Sequence, residues 1–406
     1  MVLSSCSRNG GRAALVAAVL ASTALAGRAA APTPAPTLER VYIGTYTQSP
    51  SGRPGRGGRP FPTNSQGIYL ATFNTKTLHL SPLTLAVKVV NPSYFIFSPH
   101  GRYAYSVNEL VRFDGQVSGG VSSFAVDPET GTMKLLNQLP SGGTLPAFLS
   151  LDKTGHYLFV ANYGTGNVSV FRRNPDGSIG ARTAFWQHHG HSVNPMRQRG
   201  PHAHFAITSP DNRYLLSADL GLDQVLVEHF DAANGTLTPA TPPYVSIKPG
   251  SGPRHLVFAD HGRRVYLVSE MGATVTAMNY HHGALSVFQT VSSTPPGFRG
   301  ANSGAEIALS PGGRFLYVSN RGSNTVAQFA IHPQSGRISL VRDVSTQGKI
   351  PRMFSLDLTG RFLWAANQNS ANIVVFRRNL RTGALTPAGI NVPLDMPVCV
   401  QFQPVR

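Results

Sequence analysis

Short apolar stretches alternate with polar turns along the chain, and the whole pattern recurs about every 50 residues. A representative unit reads SPGGRFLYVSN, then NTVAQFAI, then GRISLV: a turn at a glycine, a strand that ends in Asn, and a hairpin. Apolar and polar residues alternate with a period of two, which predicts half-buried β-strands, and no segment has a convincing helical period. Six copies of the turn are centred on Gly101, Gly155, Asn212, Gly262, Gly313 and Gly360.

Four short antiparallel strands per repeat are typical of one blade of a β-propeller. Six blades are complete in the sequence, and a seventh is split between the two ends of the chain. VYIGT, beginning at Val41, matches the second strand of the repeat, and the stretch from Val398 to Phe402 supplies the missing first strand. We therefore predict an all-β fold, a seven-bladed β-propeller with four antiparallel strands per blade, whose first blade is closed by the C-terminal strand.

The N-terminal residues predict export. Arg8 and Arg12 precede or flank the apolar run AALVAAVLASTALA, and small residues behind it offer a cleavage site, as in a secretory signal peptide. The run is too short to span a bilayer, so we expect no integral membrane segment after cleavage and a periplasmic or secreted location. The predicted organisation is a signal peptide and cleavage region at 1–31, a linker at 32–39 and the propeller at 40–406.

Composition narrows the possible chemistry. Lys and Arg number 35 against 18 Asp and Glu, a formal charge of +17, but the basic residues are scattered singly, so no nucleic-acid partner is expected. The two cysteines, Cys6 and Cys399, exclude a disulfide scaffold, a thiolate zinc site and c-type haem attachment. The segment 48–66, rich in Gly, Arg and Pro, interrupts the first blade, and we expect a solvated loop there whose role stays open.

The register of the repeat predicts where a site lies. The first strand of each blade begins eight residues before the turn, and the second strand ends eight residues after it, so both places meet at one mouth of the central channel. The positions before the turn are Ser93, Ala147, His204, Arg254, Ala305 and Arg352, with Val398 from the closing strand. The positions after the turn are Glu109, Tyr163, Leu220, Glu270, Arg321 and Gln368, with Tyr46 from the first blade.

These positions concentrate ionisable residues in otherwise apolar strands. A guanidinium can bind a carboxylate or phosphate and can stabilise an oxyanion, while a His or Glu can activate water, so the set suits an anionic substrate with a reacting ester. A structural ion pair between Glu270 and Arg254 or Arg321 is the alternative. No Gly-x-Ser-x-Gly motif stands at a strand-to-helix turn, which disfavours a serine nucleophile.

A histidine-rich loop is a second candidate site, because clustered imidazoles can bind zinc or copper. No Asp, Glu or Cys accompanies these histidines, so we predict no metal site and no cofactor, and expect the loop to deliver one useful His to the rim. The clustered residues are His188, His189, His191, His202 and His204.

Several phrases resemble a known family. VYIGTYT, SVNPMRQRGPHAH, ADLGLDQV, GPRHLVF and LYVSNRG, in this order, are similar to motifs of the seven-bladed lactonases, and the resemblance covers about residues 40–406. That family contains the propeller-type 6-phosphogluconolactonases and is similar to fungal carboxymuconate lactonizing enzymes. The resemblance implies metal-independent lactone chemistry at the channel mouth. It implies four catalytic residues: His204 of PHAH, Arg254 of GPRH, Glu270 of YLVSE and Arg321 of SNRG.

The predicted function is hydrolysis of a sugar-acid lactone, in the manner of a 6-phosphogluconolactonase, by water activated at the channel mouth. Arg352, Arg197, Glu109 and Gln368 are predicted to bind the substrate, a small anionic lactone, and a monomer is expected. Two alternatives stay open: a carboxymuconate-type lactonizing or cycloisomerase enzyme, and a non-catalytic anion-binding propeller of the cell envelope. The phosphogluconate lactone is cytoplasmic, so export would favour another sugar lactone or acidic lactone.

Overall fold

The computed structural model describes residues 37–50 and 63–405. The predicted signal region at 1–31, most of the linker at 32–39, Cys6 and the central part of the 48–66 insert lie outside the described residues. The described chain forms seven four-stranded antiparallel sheets, and its helical content is two single turns of 3₁₀ helix, Asp260–Gly262 and Gln368–Ser370. This confirms the predicted seven-bladed propeller.

Each blade follows the chain from its inner to its outer strand, except the first. Blade 1 contains β1 (Leu38–Thr45), β2 (Gly67–Asn74), β3 (Thr84–Lys88) and β28 (Pro397–Pro404). Blade 2 contains β4 (Phe95–Phe97), β5 (Tyr103–Asn108), β6 (Gly120–Val126) and β7 (Met133–Pro140). Blade 3 contains β8 (Pro146–Leu151), β9 (Tyr157–Asn162), β10 (Asn167–Arg173) and β11 (Ile179–Gln187).

The remaining four blades have the same strand order. Blade 4 contains β12 (Ala203–Thr208), β13 (Tyr214–Asp219), β14 (Gln224–Asp231) and β15 (Thr236–Ser246). Blade 5 contains β16 (Pro253–Ala259), β17 (Arg264–Ser269), β18 (Thr274–His281) and β19 (Ala284–Ser292). Blade 6 contains β20 (Gly304–Leu309), β21 (Phe315–Asn320), β22 (Thr325–Ile331) and β23 (Ile338–Ser345). Blade 7 contains β24 (Pro351–Leu356), β25 (Phe362–Asn367), β26 (Asn372–Arg378) and β27 (Leu385–Pro393).

The C-terminal strand closes the ring. β28 pairs antiparallel with β1, with Ile43 opposite Val400, and it contacts β24 of blade 7 and β4 of blade 2. The first strands of neighbouring blades contact one another in the same way around the molecule, so they form the wall of the central channel. Cys399 lies buried in β28. The predicted split of blade 1 is therefore confirmed.

The core lies between the blades, where large side chains of adjacent sheets meet. Trp364 on β25 is fully buried and packs edge-on against Phe73 on β2, with ring centroids 5.2 Å apart. Four tyrosines at the equivalent place in the second strand donate a hydrogen bond to a carbonyl in the outer hairpin of the next blade. They are Tyr42 to Gly131, Tyr105 to Gly177, Tyr266 to Gly336 and Tyr317 to Gly383.

The Asn that ends the second strand has a structural role. Asn108, Asn162, Asn320 and Asn367 are buried, and each side-chain amide donates to a carbonyl at the end of the preceding segment. Buried polar backbone needs such partners where the strand ladder stops. These contacts fix the strand ends that carry the residues around the channel mouth.

Candidate active site

A β-bulge lies near the start of the innermost strand in six of the seven blades. In five strands the register skips one residue against the second strand, and in β20 it skips two, Ala305 and Glu306. A bulge re-aims side chains that regular pleating would turn away from the channel. The skipped residues in the five other strands are Ala147, His204, Arg254, Arg352 and Val398.

The bulges surround a narrow cavity in the channel. Five of its lining residues are positions that the register predicted before the turn: Ser93, Ala147, Arg254, Arg352 and Val398. The other four are Tyr94, His255, Glu306 and Met353. Each of these four follows a register position along an innermost strand or its lead-in. In blades 2, 5 and 7, two successive residues therefore face the same space.

Glu270 gathers three guanidinium groups at the channel mouth, and one of them, Arg254, lines this cavity. One carboxylate oxygen lies 2.8 Å from Nη2 of Arg197, and the other lies 2.8 Å from Nη2 of Arg321 and 3.4 Å from Nε of Arg254. Burial opposes the charged form of Glu270, but Arg321 and Arg254 outweigh it and hold the pKa of the carboxyl well below its ordinary value. Glu270 is therefore an ionised group that orients arginines and a poor proton acceptor.

Glu109 organises the opposite part of the rim. Its Oε2 accepts hydrogen bonds from Tyr46 Oη at 2.7 Å and from Ser93 Oγ at 2.6 Å, and it lies 3.6 Å from Nη2 of Arg352. The Arg352 guanidinium also lies over the Tyr46 ring, 5.5 Å from its centroid. These contacts hold Arg352 beside the cavity by a carboxylate and an aromatic face together.

His204 is buried at the bulge of β12 and packs against two aromatic neighbours. Its ring centroid lies 5.5 Å from that of Tyr163 and 5.1 Å from that of His255. Burial, and then the charge of Arg254, hold the pKa of His204 well below its ordinary value of 6.5, so the imidazole is neutral at neutral pH. Nδ1 of this ring has no hydrogen-bond partner among residues 37–50 and 63–405.

The loop between β11 and β12 carries Arg197 to the rim. Asp219 accepts from His188 Nδ1 at 2.7 Å, and Asp223 accepts from Ser192 Oγ at 2.6 Å and from Gln198 Nε2 at 2.8 Å. With both ends of the loop tied to blade 4, Arg197 reaches Glu270 of blade 5 and donates to Tyr163 Oη of blade 3 at 2.9 Å.

The histidines of this loop have separate surroundings. His188 is buried against Asp219, His202 stacks on Tyr163, and His189 and His191 are exposed. In the described part of the chain, no group of three or more His, Cys, Asp or Glu gathers closely enough to hold a metal ion.

The eight predicted site residues do not all meet. Arg254, Glu270, Arg321 and Arg197 form one connected group, and His204 joins it through Tyr163, whose ring it packs against and whose hydroxyl accepts from Arg197. Arg352 with Glu109 forms a second group, and Arg352 lines the cavity. Gln368 lies in register but stands apart. It is half-buried, its backbone N–H donates to the Ile350 carbonyl, and its side chain makes no hydrogen bond to the rest of the described chain.

Sequence reasoning missed His255 and Glu306. His255 Nδ1 lies 3.2 Å from both carboxylate oxygens of Glu306, and both residues line the cavity. Regular alternation along a strand would direct the neighbours of Arg254 and Ala305 away from the channel. The bulges break this alternation, so His255 and Glu306 face the cavity. The available signal was an imidazole and a carboxylate at the same place in adjacent apolar strands.

The rim carries an excess of positive charge. Four guanidiniums, from Arg197, Arg254, Arg321 and Arg352, face the carboxylates of Glu109 and Glu270. Burial lowers the pKa of Arg254 to about 9, which keeps it protonated at neutral pH. Nε of Arg321 is buried without a hydrogen-bond partner in the described residues, and Nε of Arg254 has only its 3.4 Å ion pair with Glu270. Such a surface can bind an anion or a developing oxyanion.

Known proteins share this architecture. The sequence profile of the family described as "Lactonase, 7-bladed beta-propeller" matches residues 40–402. A 6-phosphogluconolactonase of Bacillus subtilis is 34% identical over 363 residues, which cover 89% of this chain and 97% of that protein. A 6-phosphogluconolactonase of Formosa agariphila is 33% identical over 353 residues, which cover 85% of this chain and 94% of that protein.

A solved structure agrees with these sequence matches. The periplasmic gluconolactonase PpgL of Pseudomonas aeruginosa superposes with a TM-score of 0.82 at 33% identity, covering 91% of this chain and all of that one. In this chain, no helix within residues 37–50 and 63–405 is long and apolar enough to cross a membrane. The profile match and these identities extend over nearly the whole propeller, so the chain belongs to the seven-bladed β-propeller lactonase family.

Proposed function

We propose that this protein hydrolyses the lactone of a sugar acid at the channel mouth. One observation carries the proposal: Glu270 holds three arginines from separate parts of the chain, and the buried, neutral His204 packs against Tyr163, which accepts a hydrogen bond from one of them, Arg197. The named activities of the relatives, 6-phosphogluconolactonase and gluconolactonase, support the same chemistry.

The proposed reaction uses His204 as the proton acceptor. A water oxygen attacks the lactone carbonyl carbon while its proton passes to His204, and the carbonyl oxygen becomes an oxyanion. Arg254 and Arg321 stabilise that charge, because their guanidiniums are fixed by Glu270 before the substrate arrives. The ring C–O bond then breaks, and the proton on His204 passes to the leaving alkoxide oxygen, which gives the open hydroxy acid.

Arg197 and Arg352 are proposed to bind the rest of the substrate. Arg197 is the most exposed of the four arginines, with a side-chain exposure of 34%, and Arg352 lines the cavity from the other side. Together they can hold an anionic substituent away from the reacting carbon. Glu109 positions Arg352 and is proposed to act through it.

The proposed location is the periplasm or the cell exterior. The signal-like residues 1–31 support it, and the similar Pseudomonas aeruginosa protein is named periplasmic. Export would favour another sugar lactone or an acidic lactone over the cytoplasmic phosphogluconate lactone. Cell fractionation followed by N-terminal sequencing of the purified protein tests this, and a cytoplasmic protein that keeps residues 1–31 would contradict it.

A lactone panel tests the activity. The purified protein is assayed with glucono-1,5-lactone and its 6-phosphate at pH 7, and spontaneous hydrolysis measured without enzyme is subtracted. We expect enzymatic hydrolysis of at least one of the two. Turnover of carboxylated muconates alone would favour a lactonizing enzyme, and saturable anion binding without any turnover would favour a binding protein.

A further inference from the structure

The cavity has a floor that differs chemically from its rim. Rings from blades 2, 3, 4 and 5 meet across the channel: the centroids of Phe148 and His255 are 5.3 Å apart, and those of Tyr94 and His255 are 6.2 Å apart. Phe148 and Phe205 also pack together at 4.1 Å. Because the contacts of His255 with Tyr94 and Phe148 join blades that are not neighbours, these side chains close the channel. His255 and Glu306 are the polar pair of this floor.

The contact between His255 and Glu306 leaves hydrogen-bond acceptors on both side chains without a donor from the described chain. Burial lowers the pKa of His255 to about 4, so its ring is neutral and carries one N–H. Nδ1 is the nitrogen that faces the Glu306 carboxylate, and Nε2 is therefore an acceptor, buried without a partner in the described part of the chain. Glu306 Oε1 accepts from the Ile307 N–H at 3.1 Å, which leaves further lone pairs on both of its oxygens.

Rim and floor are thus complementary to two different ends of one ligand. Guanidiniums at the rim donate hydrogen bonds and carry positive charge, so they bind oxygens that are anionic or become so. Acceptors at the floor suit a ligand with O–H donors. A second carboxylate on the ligand would instead meet the carboxylate of Glu306 and be repelled.

We propose that His255 and Glu306 bind the ring hydroxyls of the substrate and thereby make the site selective for polyhydroxylated lactones. The inference deepens the proposed hydrolysis and rests on it. It assigns the floor as the specificity-determining part of the cavity, separate from the rim that performs the reaction. A site whose buried groups hydrogen-bond a hydroxyl rejects an analogue without it strongly, because those groups are then left unpaired.

The residues at equivalent positions in other blades indicate which substitutions to use in the test. Phe148 and Phe205 occupy the place of His255 in blades 3 and 4, and Met353 occupies the place of Glu306 in blade 7. The double variant His255→Phe/Glu306→Met therefore removes both members of the pair with residues that this wall already accommodates. Replacing both partners avoids leaving either one unpaired. Glu306→Gln is a second variant that keeps size and one acceptor oxygen.

The experiment compares two six-membered lactones that share the reacting ester. One is the gluconolactone that the wild-type protein hydrolyses faster, phosphorylated or not, and the other is δ-valerolactone, which has no hydroxyls. In the double variant we expect kcat/KM for the gluconolactone to fall by about ten-fold or more, as loss of hydrogen bonds to a charged group requires. For δ-valerolactone we expect a change below about three-fold, and Glu306→Gln should show a smaller loss in the same direction.

Each outcome is decisive. An equal loss for both lactones, or no loss for either, overturns the assignment of the floor while leaving the hydrolytic function in place. A wild-type protein that hydrolyses neither lactone overturns the proposed function, and the inference falls with it. Glu39→Gln is the matched control: Glu39 is a buried carboxyl at the far end of β1, burial raises its pKa to about 8, and the substitution resembles its protonated form. It should change neither rate.

Discussion

At the scale of single residues, Glu270 determines how the rim is arranged, because one carboxylate contacts three arginines that come from a loop and two blades. Four guanidiniums so close together would otherwise repel one another. Glu270 and Glu109 offset part of that repulsion, and the excess positive charge stays available to a substrate. The carboxylates therefore position the arginines, and His204 is the group that we propose as the proton acceptor.

Removing one arginine should abolish most of the activity. We expect Arg254→Ala to lower kcat/KM for the hydrolysed gluconolactone by about 10²–10³-fold, because one oxyanion donor is lost. Arg263→Ala is the matched control, since Arg263 is an exposed arginine of the same blade, paired with Asp260 on the turn. Circular dichroism and thermal melting check that both variants fold. Full activity in a folded Arg254→Ala protein would remove Arg254 from the mechanism.

Replacing Glu270 tests its positioning role. Glu270→Gln removes the charge that holds Arg197, Arg254 and Arg321 while keeping the side-chain shape. We expect kcat to fall by at least about 10²-fold, because misplaced guanidiniums no longer meet the oxyanion. If Glu270 were instead the proton acceptor, added formate or azide would restore part of the rate. We expect no such rescue.

His204 predicts a characteristic pH dependence. Its pKa lies well below 6.5, so the neutral, active form persists as the pH falls from about 8 through 6.5. We expect kcat/KM to stay level over that range and to fall at lower pH, when the ring becomes protonated. In His204→Gln the remaining activity should lack this acidic limb. An acidic limb centred above pH 6.5 in the wild-type protein would contradict the assignment.

At the scale of elements, the interblade tyrosines are a repeated stabilising device. Tyr317 Oη donates to the Gly383 carbonyl at 2.6 Å, and the pair joins blade 6 to the outer hairpin of blade 7. We expect Tyr317→Phe to lower the free energy of unfolding by about 1 kcal/mol without changing lactone hydrolysis. Chemical denaturation measures the loss. Tyr244→Phe, at an exposed tyrosine, is the control and should leave stability unchanged.

The elements also show what could be predicted from sequence. Turns at glycines and strand ends at Asn are local signals, so counting from them placed Arg254, Glu270 and Arg321 at one rim. Bulges are not local signals in the same way, and they brought His255 and Glu306 into the cavity against the expected alternation.

Two further features depend on tertiary structure. The reach of Arg197 across to Glu270 depends on Asp219 and Asp223 anchoring its loop, which no spacing in the sequence reveals. Gln368 shows the opposite case, because its backbone lies in register and its side chain still makes no hydrogen bond within the described chain. Register predicts where a backbone position lies, and packing decides whether the side chain takes part.

At the scale of the whole molecule, the ring depends on its C-terminal strand. β28 is the innermost strand of blade 1 and contacts the innermost strands on both sides. Deleting residues 397–406 would leave β1 as an unpaired edge and open the channel wall. We expect that variant to lose its cooperative thermal transition, whereas deletion of residues 405–406 should melt like the wild type. A cooperative transition at the wild-type temperature in the longer deletion would contradict this.

Cys399 makes this closure measurable. The thiol is fully buried in β28, and its burial raises its pKa, so it cannot react with a maleimide while the strand is in place. In a Cys6→Ser protein, the labelling rate of Cys399 would report how often the two ends of the chain separate. Separation of β28 from β1 is a local unfolding event. The labelling rate would therefore measure the stability of this strand pair separately from that of the other blades. A bound lactone that bridges several blades would slow the labelling, so one thiol could also serve as a sensor of ligand binding.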